Sequence, residues 1–483
     1  MWNGSTSSTC STALPDGWPR RSRIIVTGFT VALLWSPTLR AQGDGETPFL
    51  PKPLRYDEDY RYLADPAKRG ALWDPLKYIP LDGSGSTYLS FGGEWRERFE
   101  STRHPGFGLA PFTRDSVLLH RLLLSTDLHV GAEFRAFVQL GAYDQTGRKG
   151  RPLTTDENRL DAQQAFFDVS SGLGNAGRAT LRVGRQEMVY GSSRLVSIRE
   201  GPNARRSFDG FRGLYRSATI DVDAFVTQPV KLRPGTFNDR PDADQAFWGA
   251  YAVARLPGGT NVDLYYFGLK QANARYVSGI GDEQRHTVGT RLWGGLDRVD
   301  YNMEFVYQFG RFADQTIGAW GVSADIGVTV AALPFTPRLG LKANLESGDR
   351  DPRDRRLGTL NPLFPNHAYF SEAALGAPMN DIDIQPNVTL QLAERLSLVV
   401  AWDVFWRHRK QDAVYNAILR PIPGTAGGGS RYVGSMISSH VRWRFDRHLE
   451  LNLDYTRFFA GRTIRKAGGH DVDFAMVSVA YRF

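Results

Sequence analysis

From Thr87 to the end of the chain, apolar and polar residues alternate in recurring segments, and a stripe at the helical spacing of about 3.6 residues is hard to find. Val299, Tyr301, Met303, Phe305, Tyr307 and Phe309 alternate with Asp300, Asn302, Glu304 and Gln308. The same two-residue rhythm runs through Val322–Val330, Leu339–Leu345 and Leu449–Tyr455. Alternation alone fits a soluble sandwich or a membrane barrel, because each sets one strand face in an apolar medium and the other against water. Strand length separates them: segments of about 10–15 residues exceed the soluble norm of about 5–6 and suffice to cross a bilayer when tilted. The connections also alternate. Long gaps are expected at 101–114, 144–160, 188–207, 228–244, 271–284, 348–386, 409–430 and 461–470, and tight ones at Gly131-Ala132, Ser217, Gly295–Arg298, Glu394-Arg395 and Asp446–His448. Short turns on one side and long loops on the other, with an even strand number, predict an outer-membrane barrel whose termini share the periplasmic side. The chain ends Val477-Ser478-Val479-Ala480-Tyr481-Arg482-Phe483, an alternating strand with a terminal aromatic of the kind read by the outer-membrane assembly machinery. The fold expected is all-β: a transmembrane antiparallel up-and-down barrel of about eighteen strands. The short gap at 311–316 and the long one at 171–178 leave sixteen as the alternative count.

Composition removes other classes. Of 483 residues, 41% are hydrophobic and 12% aromatic, and the longest apolar run, Ile24–Trp35, is far shorter than the roughly 20 residues of a spanning helix. A helical membrane protein is excluded, and so is a largely disordered chain. Arg20, Arg21 and Arg23 precede the apolar run, and Pro37 through Ala41 follow it, which is the layout of a secretory signal peptide. Residues 1–41 are therefore read as a leader, 42–86 as a periplasmic N-terminal segment and 87–483 as the barrel. The long tail before Pro19 and Leu39 at the −3 position raise the alternative of a translation start downstream of Met1. Cys10, the single cysteine, falls in the leader, so the body can build no disulfide or catalytic thiol. The formal charge of +8 is mild and spread out, which argues against a nucleic-acid partner.

If the apolar face meets lipid, the opposite face lines a lumen crowded with charge: Glu94, Arg96 and Arg98, Arg121 and Asp127, Arg135, Arg182, Asp221 and Asp223, Arg255, Arg291, Lys342 and Glu346, Asp403 and Arg407, Arg442 and Arg444. So many ions in a dry core would cost several kcal/mol each unless paired, so the interior is wet or ion-paired. Rings of arginine pass anions by offering fixed donors to carboxylates. The alternative is a set of charge ladders stiffening the wall. The densest stretch, Leu181–Gly210, carries Arg182, Arg185, Arg194, Arg199, Arg205 and Arg206, and its loop is compact enough to fold inward as a constriction. Candidate substrate-binding residues are therefore Arg96, Arg98, Arg121, Arg182, Arg185, Arg194, Arg199, Arg205, Arg206, Arg442 and Arg444. The stretch 42–86 is rich in proline and tyrosine and reads as an arm in the barrel mouth, a docking point for a periplasmic secretion partner, or a linker. The Asp/Arg run at 349–356 reads as a solvated loop, a pore lid or a divalent-cation contact with lipopolysaccharide.

The run RVGRQEMVYGSSRLVSIREGPNARRSFDGFRG (Arg182–Gly213), with DAQQAFFDV (Asp161–Val169) ahead of it, resembles the alginate-export family of outer-membrane proteins. So does RYDEDYRYLADPAKRGALWDPLKYIPL (Arg55–Leu81) leading into YLSFGGEWRERFE (Tyr88–Glu100), as in the broad branch of that family whose substrates are mostly unassigned. The resemblance implies an eighteen-stranded monomeric barrel in the outer membrane of a Gram-negative bacterium, with an electropositive lumen that passes an anionic uronate polymer. No Gly-x-Ser-x-Gly elbow, His-Glu-x-x-His, phosphate-binding loop or dinucleotide fingerprint appears, and the nine histidines lack ligand spacing. The reading is a channel, not an enzyme, with no metal or cofactor: a passive anion-selective conduit for an acidic polysaccharide or oligosaccharide. Its other partners would be outer-membrane lipid, lipopolysaccharide and, through Phe483, the assembly machinery. A porin for small anions is the alternative within transport, and a secreted carbohydrate-active enzyme the alternative outside it.

Overall fold

The computed structural model describes residues 52–483. The leader reading and the first part of the 42–86 segment lie outside the described residues. Eighteen long strands run in chain order: β1 Tyr88–Arg103, β2 Arg114–Val130, β3 Phe134–Thr146, β4 Asn158–Gly172, β5 Arg178–Gln186, β6 Phe208–Arg216, β7 Ile220–Lys231, β8 Gln245–Arg255 and β9 Thr260–Tyr276 form the first half. The second half is β10 Gly279–Leu296, β11 Val299–Phe312, β12 Gln315–Thr329, β13 Arg338–Glu346, β14 Asp381–Ala393, β15 Leu396–Arg407, β16 Tyr432–Arg444, β17 Leu449–Ala460 and β18 Val472–Arg482. Each strand pairs antiparallel with its sequence neighbours, and β18 pairs with β1 from Glu94↔Arg482 to Arg103↔Asp473, so the sheet closes on itself. Closure leaves no strand edge unpaired, as a sheet in hydrocarbon requires.

The two-residue alternation sorts the side chains. Trp95, Phe99, Leu122, Leu124, Phe305, Tyr307, Phe309, Val477 and Val479 are exposed on the outer face, an apolar band too extensive for water. Glu94, Arg96, Arg98, Arg121, Asp223, Glu304 and Asp403 are buried on the inner face. The connections follow the expected asymmetry with one correction. The loop read at 271–284 does not exist: β9 and β10 extend through it and turn over Val277 and Ser278, with a register shift between Gln271 and Ala274 absorbing the bend. Polar residues there alternate on strand faces that continue past the apolar band, which made strand resemble loop.

Two long loops turn inward. Residues 187–207, between β5 and β6, cross the interior, where Met188, Tyr190, Leu195 and Val196 join Phe208, Phe225, Phe247, Tyr251, Tyr265 and Phe267 of the wall in one apolar cluster. Leu360, Leu363 and Phe364 of the loop between β13 and β14 complete it, and Val196 forms a parallel bridge with Phe364. Only the start of the latter loop, with Arg353–Arg356 exposed, behaves as the solvated segment expected at 349–356.

On the opposite wall, the 187–207 loop is held by charge. Arg121 Nη1 donates to Glu200 Oε1 at 2.5 Å and lies 3.2 Å from Glu94 Oε1, while its other nitrogens donate to the carbonyls of Asn203 at 2.8 Å and Pro202 at 2.7 Å. Asn203 Nδ2 lies 2.9 Å from the carbonyls of His120, Asp144 and Asp156. Apolar packing on one wall and hydrogen-bonded charge on the other fix the loop across the lumen.

At the short-turn end, residues 52–86 fold as 3-10 turns, one short helix, Asp74–Lys77, and a two-residue strand, Ile79–Pro80, that pairs with Tyr88 and Leu89. The Trp73 ring packs against Phe483 at 4.6 Å, tilted by 31°, and donates from Nε1 to the Tyr481 hydroxyl at 2.6 Å. The Phe483 and Gly93 backbones exchange hydrogen bonds of 2.9 and 3.0 Å, and a Cβ at Gly93 would sit 2.5 Å from the Phe483 ring. The terminal aromatic is thus part of the closing seam.

Replacing Arg121 with Gln leaves Glu94 buried with one partner fewer and several loop carbonyls unmet. We expect a loss of about 3–5 kcal/mol in urea unfolding from lipid vesicles, the usual cost of removing one partner of a buried pair. A loss within experimental error would show that the apolar wall alone holds the loop. Deleting Phe483 removes both seam hydrogen bonds and the Trp73 contact; the fraction running as the compact, unheated species on a denaturing gel should fall, and an unchanged fraction would take the terminal ring out of closure.

Candidate functional site

The interior is divided where the 187–207 loop crosses it. On the short-turn side lies a cavity of about 790 Å³ lined in part by Tyr56, Arg135, Arg182, Tyr190, Arg212, Asp223 and Tyr251. On the long-loop side lies one of about 260 Å³, lined in part by Arg199, Arg206, Arg275, His367, Leu419 and Arg420. The 187–207 loop lines both, with Val189, Tyr190 and Gly191 at the first and Arg199 and Arg206 at the second.

Most of the arginines singled out in the sequence are already neutralised. Arg96 lies 3.4 Å from Glu200, and Arg98 binds Glu100 at 2.6 Å and Glu372 at 2.9 Å. Arg121 is shared by Glu94 and Glu200, and Arg182 grips Asp168 through two hydrogen bonds of 2.8 Å. Arg194 pairs with Glu304, and Arg205 with Glu200 and, at 3.6 Å, with Glu187. Arg444 faces Glu450 at 3.2 Å. Arg442 is exposed at the short-turn end and donates to Asn452 at 3.4 Å, with no acid in ion-pair reach among the described residues. Arg185 departs from the sequence reading. It bonds Asp209 at 2.8 Å, and Asp209 follows the inward-facing Phe208, so this pair stands on the outer face and does not line the lumen. The pairing of β5 runs without a register shift from the inward Arg182 through Gly184 to Gln186, so alternation itself turns Arg185, three residues after Arg182, to the outside, a step that counting arginines along the stretch passes over.

Arg199 and Arg206 differ from the acid-paired arginines and, unlike the exposed Arg442, line an interior cavity. Neither has an acid within ion-pair distance among the described residues. Arg199 donates to the Ala204 carbonyl at 3.2 Å, and Arg206 to the Ser197 carbonyl at 3.4 Å. Burial with no compensating carboxylate lowers the Arg199 guanidinium to about 10. Arg206 is pushed well below its usual value by burial and then by Arg199. Across the cavity Arg420, whose Nη1 has no hydrogen-bond partner, is lowered by burial and by Arg275. His367 is held down to about 3 by burial and by the same two arginines, so it stays neutral near pH 7. The two acids lining this cavity are spoken for: Asp242 lies 3.5 Å from Lys231, and Glu283 pairs with Arg285. Arg199 also sits at φ +59°, a left-handed conformation uncommon for a residue with a side chain and one that concentrates at functional sites. The result is a small chamber with cations on two loops and at the end of β9 and no free counter-charge.

Sequence reasoning located Arg199 and Arg206 but not their distinction, because the acids that neutralise their neighbours come from strands and loops distant in the chain. It missed His367 and Arg420, which look like ordinary loop residues until the loops fold inward. It also missed the depth to which Tyr56 enters the barrel.

The alginate-export family profile matches residues 87–478. Among curated proteins, none matches the chain. Solved structures share the architecture: OpdK of Pseudomonas aeruginosa at 12% identity and TM-score 0.55, covering 82% of this chain and 98% of that one. OccK2 (OpdF) of P. aeruginosa, crystallised in complex with glucuronate, aligns at 13% identity and TM-score 0.54, over 82% and 98% of the two chains. OccAB1 of Acinetobacter baumannii gives 13% and 0.54, over 82% and 96%. At these identities the likeness establishes the fold, a closed eighteen-stranded barrel of the outer-membrane porin type. Barrel, apolar belt and family together make this a channel-type transport protein of the Gram-negative outer membrane, and the chain belongs to the alginate-export family.

Proposed function

We propose that the barrel is a passive conduit for an acidic saccharide, with Arg199 and Arg206 as the principal carboxylate-binding groups. The observation that carries this reading is the lack of any acid partner for these two guanidinium groups, in a barrel where most inward arginines of the wall and of the crossing loop have one. A bound carboxylate would relieve their mutual repulsion and supply the acceptor that burial withholds. Arg420 and Arg275 extend the positive surface toward the long-loop opening. The acid-paired Arg96, Arg98, Arg121, Arg182, Arg194, Arg205 and Arg444 serve as wall and loop anchors in the unloaded protein and exchange partners only as a polyanion passes. A conduit needs sites that bind weakly enough to release, and the strained backbone at Arg199 fits a site that binds without locking. The uronate reading draws further support from the family and from the glucuronate-bound porin of the same fold. The short-turn end would face the periplasm, and Phe483 would be the residue met by the assembly machinery.

The test is ion selectivity in planar bilayers. Arg199→Gln with Arg206→Gln should shift the reversal potential toward zero and weaken block by uronate oligomers roughly tenfold, the loss of about 1.4 kcal/mol from two charge-assisted contacts. Arg205→Gln, at an ion-paired anchor, should reduce stability more than selectivity. If the double variant keeps the parent's selectivity and block, the chamber is not the anion site, and a porin indifferent to uronates becomes the better reading.

A further inference from the structure

Tyr56 belongs to the segment ahead of the first strand, yet it is among the most buried aromatic residues in the protein, at 4% exposure. Its ring lies against Phe137 and Phe166 of β3 and β4 at 6.2 and 5.4 Å, and the Arg182 guanidinium stands over it at 4.2 Å. All three are inward residues, so the ring is inside the barrel. The Tyr56 hydroxyl donates to the Glu187 carbonyl at 2.8 Å and accepts from Arg212 at 3.3 Å; the Tyr56 carbonyl accepts from Arg135 at 2.6 Å. Arg55 donates to the Gly93 carbonyl at 3.2 Å and to Glu58 at 2.6 Å. Leu54 shares an apolar cluster with Ile198 of the crossing loop, against which Val189 also packs.

These contacts join a peripheral segment to the one element that divides the lumen. The crossing loop is tied into the wall through β5 and β6, whereas Leu54–Tyr56 reaches its socket from the short-turn end and hangs on a tether of prolines and short turns fixed at the rim by Trp73. Withdrawing Tyr56 would empty the socket of Phe137, Phe166 and Arg182, free the Glu187 carbonyl and remove the apolar support beneath Ile198. The wall would remain neutral, because Arg182 and Arg212 keep Asp168 and Asp223. The socket is therefore compatible with both an occupied and an empty state.

We propose that Leu54–Tyr56 is an inhibitory plug, inserted from the short-turn end, that braces the 187–207 loop in its crossing position and is withdrawn when the channel conducts. This rests on the conduit reading and adds its regulation.

The experiment uses the full-length protein with a sequence-specific protease site placed in the exposed Asp82–Ser86 segment. The barrel is folded and inserted into a planar bilayer before cutting, so assembly is complete when the tether is severed. A mild urea wash then releases the fragment, and mass analysis of a parallel sample verifies its loss. Conductance should rise several-fold once the fragment has left; unchanged conductance after its loss overturns the proposal. Tyr56→Ala in the uncut chain should show the same rise and Tyr56→Phe, which keeps the ring and loses the hydroxyl bonds, a smaller one. A folded Tyr56→Ala protein conducting like the parent is equally fatal. A rise in conductance with no preference for anions would keep the plug and remove the acidic-saccharide reading, and anion preference with no rise would do the reverse.

Discussion

The requirement that charge inside a lipid-embedded wall be neutralised organises this protein. Isolated ions in such an interior cost several kcal/mol each, and the chain meets that cost by pairing inward arginines with carboxylates from neighbouring strands or inserted loops. Glu200, on the crossing loop, faces Arg96, Arg121 and Arg205, so one acid gathers cations from two strands and its own loop. Take that pairing away and the loop has no reason to cross the lumen on its polar side. With it in place, the rare cation lacking a partner becomes conspicuous, which is how the chamber at Arg199 and Arg206 stands apart from the ladders around it.

The crossing loop reconciles two surfaces that would ordinarily repel each other's contents. Its apolar residues seal against a bank of aromatic side chains on β7, β8 and β9, a feature closer to a soluble core than to an open pore. Its polar residues meet the charged wall of β1 and β2. Dry packing sets its position firmly, and the hydrogen-bonded side can exchange partners with a passing polyanion. The same loop can thus be a rigid partition and a site of weak, replaceable contacts.

Much of this was legible in the sequence. The eighteen-strand count, the sorting of faces and the inward fold of the 187–207 loop follow from a two-residue period and from loop lengths, both local properties. The error at 271–284 arose because strands that rise beyond the apolar band lose the hydrophobic half of their alternation while keeping their hydrogen bonds. The misplacement of Arg185 came from grouping it with its neighbours by composition, because an unbroken alternation from the inward Arg182 already turns it outward. The separation of bonded from unbonded arginines was invisible, since Arg98 meets Glu372 and Arg194 meets Glu304 only after two loops have folded into the same space. Pairings of that range have no signature in one chain read alone.

The seam between β1 and β18 carries a kinetic consequence. Glu94 and Arg482, which bond across it at 2.8 Å, are 388 residues apart. Contacts of that separation pay their loop-closure entropy before any return and make folding slow. The ring therefore shuts last, after the other seventeen ladders can already exist, and the aromatic bank and charge lattice must be filled while one side is still open. Once Phe483 docks on Gly93 and Trp73, sideways entry ends, and traffic into or out of the interior is restricted to the barrel axis.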